Sequence, residues 1–218
     1  MTTAIIGVGN IGSAVARHLV EGGEPVVLAA KDEAHAQALA HELGRLASAA
    51  PVEDAIDGAD TVVLAVWLDV SKELIAENAH VLVNKVVVDP SNPLGFDEAG
   101  QMIRTLPDDQ SSGSVLSALL PASSHYVKAF GTITADALAS GANRERRVVL
   151  FYATDDEIAG TMIERLIRVA GFEPLKVGGV ADAGRIEMPG GDLHQFGMNG
   201  ELLDLDQART AIAEEVTA

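Results

Sequence analysis

The feature that most constrains the fold of this chain is a glycine-rich hexapeptide between an apolar segment and a helical pattern. Gly7-Val8-Gly9-Asn10-Ile11-Gly12 matches the pattern G-x-G-x-x-G. The apolar run at 4–8 leads into it, and apolar residues then recur at helical spacing through Leu19. Because the motif follows a predicted strand and opens a predicted helix, it indicates the start of a βαβ unit.

Each glycine of the motif is needed for a different physical reason. Gly7 permits a tight turn, Gly9 lets a pyrophosphate approach the backbone, and Gly12 lets the helix pack close to the strand. The helix N-terminus adds free N–H groups and the positive end of its dipole. We therefore predict that Gly7, Val8, Gly9, Asn10, Ile11 and Gly12 bind a dinucleotide. The alternative is a glycine turn without a ligand.

The end of the second predicted strand, residues 25–30, indicates which dinucleotide binds. An acid at this place binds the ribose of NAD, whereas a cation suits the 2′-phosphate of NADP. The strand ends on Ala30 and Lys31 follows, so we predict that NADP is preferred over NAD. Asp32 has two possible roles, as a ligand of the NAD ribose or as the N-cap of the next helix.

The rest of the chain continues the alternation of strands and helices. Further strands are predicted at 60–66, 86–89, 126–133, 147–152 and 172–177. This order predicts an α/β fold with a doubly wound, mostly parallel Rossmann sheet over residues 1–178. Residues 179–218 are predicted to form a small helical C-terminal extension, with a last helix over 203–216, that completes the site or a dimer interface.

Three further segments have predicted local structure. Apolar residues from position 36 to 47 predict one helix, the segment 90–100 is rich in turn residues, and the polar segment 110–114 is predicted to be mobile.

Composition excludes several classes of function. The formal net charge of −17 argues against nucleic acid and against an anionic membrane surface as partners. There is no cysteine, and no His, Asp and Glu residues stand at metal-ligand spacing, so no metal site is expected. Because neither a signal peptide nor a membrane span is predicted, the expected compartment is the cytoplasm.

Several segments together resemble the coenzyme F420-dependent NADP oxidoreductase family. They are residues 5–12, the step Ala29-Ala30-Lys31, and the segments at 59–66, 88–93, 127–133 and 190–194. The resemblance implies hydride transfer between NADPH and a deazaflavin (F420) or flavin-like acceptor, in a homodimer. Gly131 stands where this family commonly has Asn or His, which predicts a wider pocket or a different acceptor.

The resemblance and the predicted topology together locate the reactive ring. In a doubly wound sheet the nicotinamide lies at the carboxyl ends of the first and fourth strands, where Val66 and Trp67 stand. Asn92 and Pro93 follow the fifth strand and are expected to line the same crevice. We assign Trp67, Asn92 and Pro93 to positioning of the rings, and no residue to acid–base catalysis, because hydride transfer to a deazaflavin needs alignment more than protonation.

Two rival functions remain open. A reductase of a small imine or carbonyl would need a proton donor such as His125 or Tyr126. A dinucleotide-binding redox sensor would need no catalysis at all. His194 is a further candidate for contact with an acceptor or a partner subunit, and His18 is expected on the surface.

Overall fold

The computed structural model describes residues 1–215, with side chains to residue 213. The last helix begins at Leu205, later than predicted. Residues 216–218, which belong to the predicted extension and include the end of its predicted helix, lie outside the described residues.

The first half of the chain alternates strands and helices as expected. Its elements are β1 (Thr3–Ile6), α1 (Asn10–Glu21), β2 (Val26–Ala29), α2 (Glu33–Leu43), β3 (Ala47–Ala49), α3 (Val52–Asp57), β4 (Thr61–Leu64), α4 (Leu68–Glu77) and β5 (Val86–Asp89). Position 47, predicted as helical, lies instead in β3. Gly44 ends α2 with a positive φ of 82° and releases the chain into this short strand.

The second half is less regular. Its elements are β6 (Leu94–Phe96), β7 (Met102–Arg104), α5 (Ser112–Leu119), β8 (His125–Lys128), α6 (Ala135–Ser140), β9 (Val149–Ala153), α7 (Glu157–Val169), β10 (Glu173–Gly178), a 3-10 helix (Val180–Ile186) and α8 (Leu205–Glu215). The turn-rich segment 90–100 thus contains a strand, because β6 and β7 pair as an antiparallel hairpin outside the main sheet.

The main sheet confirms the predicted fold class. Its strand order is β10-β9-β8-β5-β4-β1-β2-β3. The six neighbouring strands β8, β5, β4, β1, β2 and β3 are parallel to one another. Strand β9 pairs with β8 in antiparallel orientation, and β10 is parallel to β9. The order on either side of β1 and β4 is that of a doubly wound Rossmann sheet.

Helices cover both faces of this sheet, which explains its uniformly apolar strands. Alternate residues of β4 point to opposite faces: Val63 packs with α1, α2, α6 and α7, while Val62 and Leu64 pack with α3, α4 and α5. A strand buried on both faces needs no polar alternation.

The segment after Gly179 packs on the sheet of its own chain. Ala183, Ile186, Leu193, Leu203 and Ala208 form a third core cluster with Val149, Phe151 and Ala153 of β9. The predicted extension therefore exists, and these apolar side chains of it are buried within the protomer.

Two sequence-based predictions are wrong, namely that the segment 110–114 is mobile and that His18 lies on the surface. Ser111 caps α5 and Ser112 is fully buried, so the segment 110–114 contains a helix start that is built into the interior. His18 is buried as well, since its Nε2 lies 2.9 Å from the Leu138 carbonyl oxygen and its ring meets Phe172 edge-on.

Candidate functional site

The glycine turn between β1 and α1 contains three glycines with different structural roles. Packing within the protein requires a glycine at positions 7 and 12, but not at position 9. A Cβ on Gly7, whose φ is 98°, would lie 2.4 Å from the Ala65 carbonyl oxygen. A Cβ on Gly12 would lie 1.9 Å from the Gly7 carbonyl oxygen. A Cβ on Gly9 would meet no protein atom within 4 Å. Gly9 is also the N-cap of α1, so its open side adjoins the N–H groups of the first helical turn.

The turn opens into a cleft of about 680 Å³ at the carboxyl edge of the sheet. We call this space the cleft. Its lining comes from the turn after β1, the end of β2 and the turns after β4 and β5, with single residues from β6 and α6: Gly7, Gly9, Asn10, Ile11, Lys31, Ala65, Val66, Trp67, Val70, Pro90, Ser91, Asn92, Leu94 and Ala135. A larger groove of about 820 Å³ beside α7 shares none of these residues.

The structure brings most of the predicted site residues together in the cleft. Eight of them line it: Gly7, Gly9, Asn10, Ile11, Lys31, Val66, Trp67 and Asn92. Four do not line it: Val8, Gly12, Ala30 and Pro93. Val8 belongs to the core and Gly12 is buried beneath the turn. Pro93 is buried, and its carbonyl accepts the Thr105 N–H at 2.9 Å.

The end of β2 presents a cation to the cleft. Lys31 is exposed and lines it. Asp32 is the N-cap of α2, and its Oδ1 accepts the Ala34 N–H at 3.1 Å. The capping interpretation of Asp32 is therefore confirmed, and its side chain stabilises the start of α2.

The turn after β5 is fixed to two distant segments by Asn92. Its Nδ2 donates to the Gly131 carbonyl at 3.2 Å, and its Oδ1 accepts the Met188 N–H at 2.9 Å. A Cβ on Gly131 would lie 2.3 Å from the Pro90 carbonyl oxygen. The expectation that Gly131 widens the pocket is therefore wrong, because the backbone of Pro90 occupies the space that a side chain would need.

Directly beneath this turn lies a buried ionic cluster that the sequence analysis missed. Lys128 contacts Asp89 at 3.0 Å and Glu187 at 3.3 Å, and all three side chains are at most 1% exposed. Lys128 also donates to the Ser91 carbonyl and, at 2.6 Å, to the Ser112 hydroxyl. Since Ser91 lines the cleft, the cluster supports the cleft from below. Its sequence signal was a lysine and an aspartate inside otherwise apolar strand segments.

The cluster fixes the α5 N-terminus as well. The Ser112 hydroxyl donates to Glu187 at 2.6 Å, and the Ser112 and Gly113 N–H groups each donate to it at 3.0 Å. Glu187 thus connects the segment after Gly179 to the turn beside the cleft.

The two candidate proton donors, His125 and Tyr126, and the candidate contact residue His194 lie outside the cleft lining. His125 begins β8, at the edge of the sheet opposite the cleft, where its Nδ1 lies 2.7 Å from Asp156. Tyr126 donates to Asp89 at 2.8 Å, and burial together with Asp89 and Glu187 raises the pKa of Tyr126 well above its usual range. Burial and the positive charge of Lys128 lower the pKa of His194 to about 4. Its side chain is almost fully buried, so the expected contact with an acceptor or a partner subunit is not available to it.

Aromatic side chains stand at the mouth of the cleft. Trp67 is the N-cap of α4, and its ring meets Phe96 of β6 edge-on, with ring centroids 6.4 Å apart. The two side chains remain 57% and 56% exposed. Two adjoining exposed aromatic rings form a contiguous apolar patch, and such patches often mark ligand-binding sites.

One chemical property of the cleft follows from its lining. Of the described residues that line it, Lys31 alone carries a titratable side chain. Lys31 follows β2, which lies three strand positions from β5, or roughly 14 Å at the usual strand spacing. The part of the cleft beside Trp67 and Leu94 is therefore lined mainly by apolar side chains and contains no general acid.

Comparison with known proteins agrees with this geometry. Residues 2–93, which contain the glycine turn and the strands from β1 to β5, match the family model described as NADP oxidoreductase coenzyme F420-dependent. The predicted resemblance is confirmed over these residues.

Solved structures share the fold over most of the chain. A hypothetical protein, SMa0349, from Sinorhizobium meliloti is 29% identical, with a TM-score of 0.80 over 94% of this chain and 95% of the other. A candidate F420-dependent NADP-reductase from Arthrobacter sp. FB24 is 22% identical, with a TM-score of 0.72 over 83% and 86%. A reductive aminase from Aspergillus terreus, in complex with NADPH and ethyl levulinate, is 18% identical, with a TM-score of 0.63 over 91% of this chain but 59% of its own.

Within the described residues, no helix is both long and apolar enough to cross a membrane.

Proposed function

We propose that this protein is an NADP(H)-dependent oxidoreductase that transfers a hydride between the nicotinamide and a deazaflavin (F420) or flavin-like acceptor. The observation that carries the proposal is the composition of the cleft. It has a glycine turn that leaves space at Gly9, a cation at Lys31, and an apolar far end without a titratable group.

The residues present fit a dinucleotide. The α1 N-terminus, with Gly9, Asn10 and Ile11, would hold the pyrophosphate, because its N–H groups and dipole favour an anion. Lys31 would pair with the 2′-phosphate of NADP. Val66 and Trp67, at the end of β4, would then lie beside the nicotinamide. The family match and the NADPH complexes of the fold neighbours support the same cofactor.

The apolar end of the cleft favours an acceptor that needs alignment. When bound, NADPH supplies the hydride, the acceptor ring takes up its two electrons, and a proton from water completes the reduction. Reduction of an imine or carbonyl gains from a side-chain acid close to the reacting atoms. Tyr126 and His125 lie outside the cleft lining, which disfavours that rival.

The test is a screen of NADPH oxidation with F420, FMN, FAD and a simple cyclic imine. We expect turnover with at least one of the flat ring acceptors, and NADPH deuterated at the transferred C4 position should deliver its label directly to F420. Brisk turnover of the imine without turnover of the flat rings would favour the imine reductase. Tight NADPH binding without turnover of any acceptor would favour the redox sensor.

A further inference from the structure

We infer that Trp67, Phe96 and Met102 form an aromatic platform on which the ring system of the hydride acceptor stacks. This inference rests on the proposed function and deepens it, because it names the residues that would hold and select the ring of the acceptor.

The platform continues the cleft outward. Leu94 lines the cleft, and Phe96 lies two positions later on the same strand, so both side chains project from the same face of the β6–β7 hairpin. Met102 is the cross-strand partner of Phe96, which places it on that face too. Phe96 in turn contacts Trp67, and Trp67 lines the cleft.

Exposure of these side chains indicates a ligand surface. Trp67, Phe96 and Met102 are 57%, 56% and 49% exposed, and together they form a contiguous apolar surface beside the cleft. The edge-on contact between the two rings leaves ring faces open, and such faces bind other aromatic rings in offset or edge-to-face geometry.

The hairpin that carries Phe96 is held at its base. Arg104 donates to the Pro189 carbonyl at 3.2 Å and to the Gln110 carbonyl at 2.5 Å. Asp97 closes the turn by accepting the Ala99 and Gln101 N–H groups at 2.9 and 2.8 Å. The position of Phe96 is therefore defined before a ligand arrives, which reduces the entropy lost on binding.

The neighbouring chemistry restricts the occupant to an uncharged, flat ring. The lining residues closest along the chain to the platform are Val66, Val70 and Leu94, which offer apolar contact and no charge. A small imine would leave most of the platform uncovered, whereas a flavin or deazaflavin ring could cover it with one face and present its opposite face to the nicotinamide.

The experiment uses the fluorescence of Trp67, which is the single tryptophan of the chain. Full-length protein saturated with NADP⁺ is titrated with FMN and with F420, and binding is measured as quenching of that fluorescence. We expect Phe96→Ala and Phe96→Leu to weaken acceptor binding by about 3- to 10-fold, the size of one aromatic contact. Phe96→Tyr should retain wild-type affinity.

Two controls make the result specific. Phe196 is 58% exposed and lies outside the cleft lining, so Phe196→Ala should leave acceptor binding unchanged. Calorimetric titration with NADP⁺ should give the same affinity in all variants within about twofold, since neither Phe96 nor Phe196 is among the residues assigned to the dinucleotide.

The outcomes separate this inference from the proposed function. Wild-type affinity in Phe96→Leu, or an equal loss of NADP⁺ and acceptor binding in Phe96→Ala, overturns the platform. A wild-type protein that fails to bind NADP⁺ overturns the proposed function. The platform would still stand in that case if FMN quenched Trp67 in a manner that depends on an aromatic residue at position 96.

Discussion

Replacing Lys128 by methionine removes the positive charge from the buried cluster beneath the cleft. Methionine retains most of the side-chain length, so the change is mainly electrostatic. It leaves Asp89 and Glu187 as neighbouring buried carboxylates without their cation, which contacts them at 3.0 and 3.3 Å in the native protein. Removing one partner of a buried ion pair typically lowers the free energy of unfolding by about 3–5 kcal/mol.

Part of this cost is offset by hydrogen bonds that do not involve Lys128. Asp89 keeps the Tyr126 hydroxyl at 2.8 Å and the Ser91 N–H at 2.7 Å, and Glu187 keeps two backbone N–H groups of α5. We therefore expect a loss of about 3 kcal/mol, the lower end of that range. In a domain of this size such a loss corresponds to a Tm lower by about 6–12 °C.

Urea denaturation at pH 7 measures this loss, and Lys72→Met is the matched control. Lys72 lies 2.9 Å from Asp69, almost the same separation as between Lys128 and Asp89, but both side chains of that pair are partly or largely exposed. Its removal should cost about 1 kcal/mol or less, because water screens exposed ion pairs.

A double-mutant cycle tests whether the charge itself is responsible. Lys128→Met/Asp89→Asn should be less destabilised than the sum of the two single variants. A loss below about 1 kcal/mol in Lys128→Met, or strict additivity in the cycle, would refute the claim that this cluster holds the turn beside the cleft.

The remaining predictions concern binding, pH dependence and assembly. Lys31→Ala should weaken NADPH binding by roughly 1.5–3 kcal/mol and leave NADH binding unchanged in calorimetry; equal losses for both would show that Lys31 does not contact the 2′-phosphate. Gly9→Val should abolish dinucleotide binding with unfolding free energy within about 1 kcal/mol of wild type, whereas Gly12→Val should disrupt folding, and micromolar binding in folded Gly9→Val would contradict the assignment. Because the folded pKa of His194 is about 4, below its unfolded value of about 6.5, the unfolded state binds more protons between these pH values. Stability should thus fall by up to about 3 kcal/mol as pH drops from 6.5 to 4, and His194→Gln should flatten that slope in urea titrations at several pH values. We also expect a homodimer in which the segment after Gly179 takes part, and light scattering that gives the mass of one chain at working concentration would rule it out.

Local sequence patterns were sufficient for the part of the site that one βαβ unit builds. The glycine turn, the helix that follows it and Lys31 at the end of β2 are neighbours along the chain. Their geometry depends on backbone rules that act over a few residues, so G-x-G-x-x-G and the apolar runs predicted them. The alternation of elements also predicted the sheet, because parallel strands require crossover connections.

Contacts between side chains that are far apart in the sequence became known only from the tertiary structure. Asp89 and Lys128 are 39 positions apart, and Ser112 and Glu187 are 75 apart. A pattern within a single segment carries no information about such pairing, so the sequence analysis interpreted Ser112 as part of a mobile segment. Whether these polar groups are exposed or buried depends on which elements pack against them, and a buried charge is stable only where partners from other elements surround it. The same reason applies to Phe96, which reaches Trp67 only because the β6–β7 hairpin folds back over the mouth of the cleft.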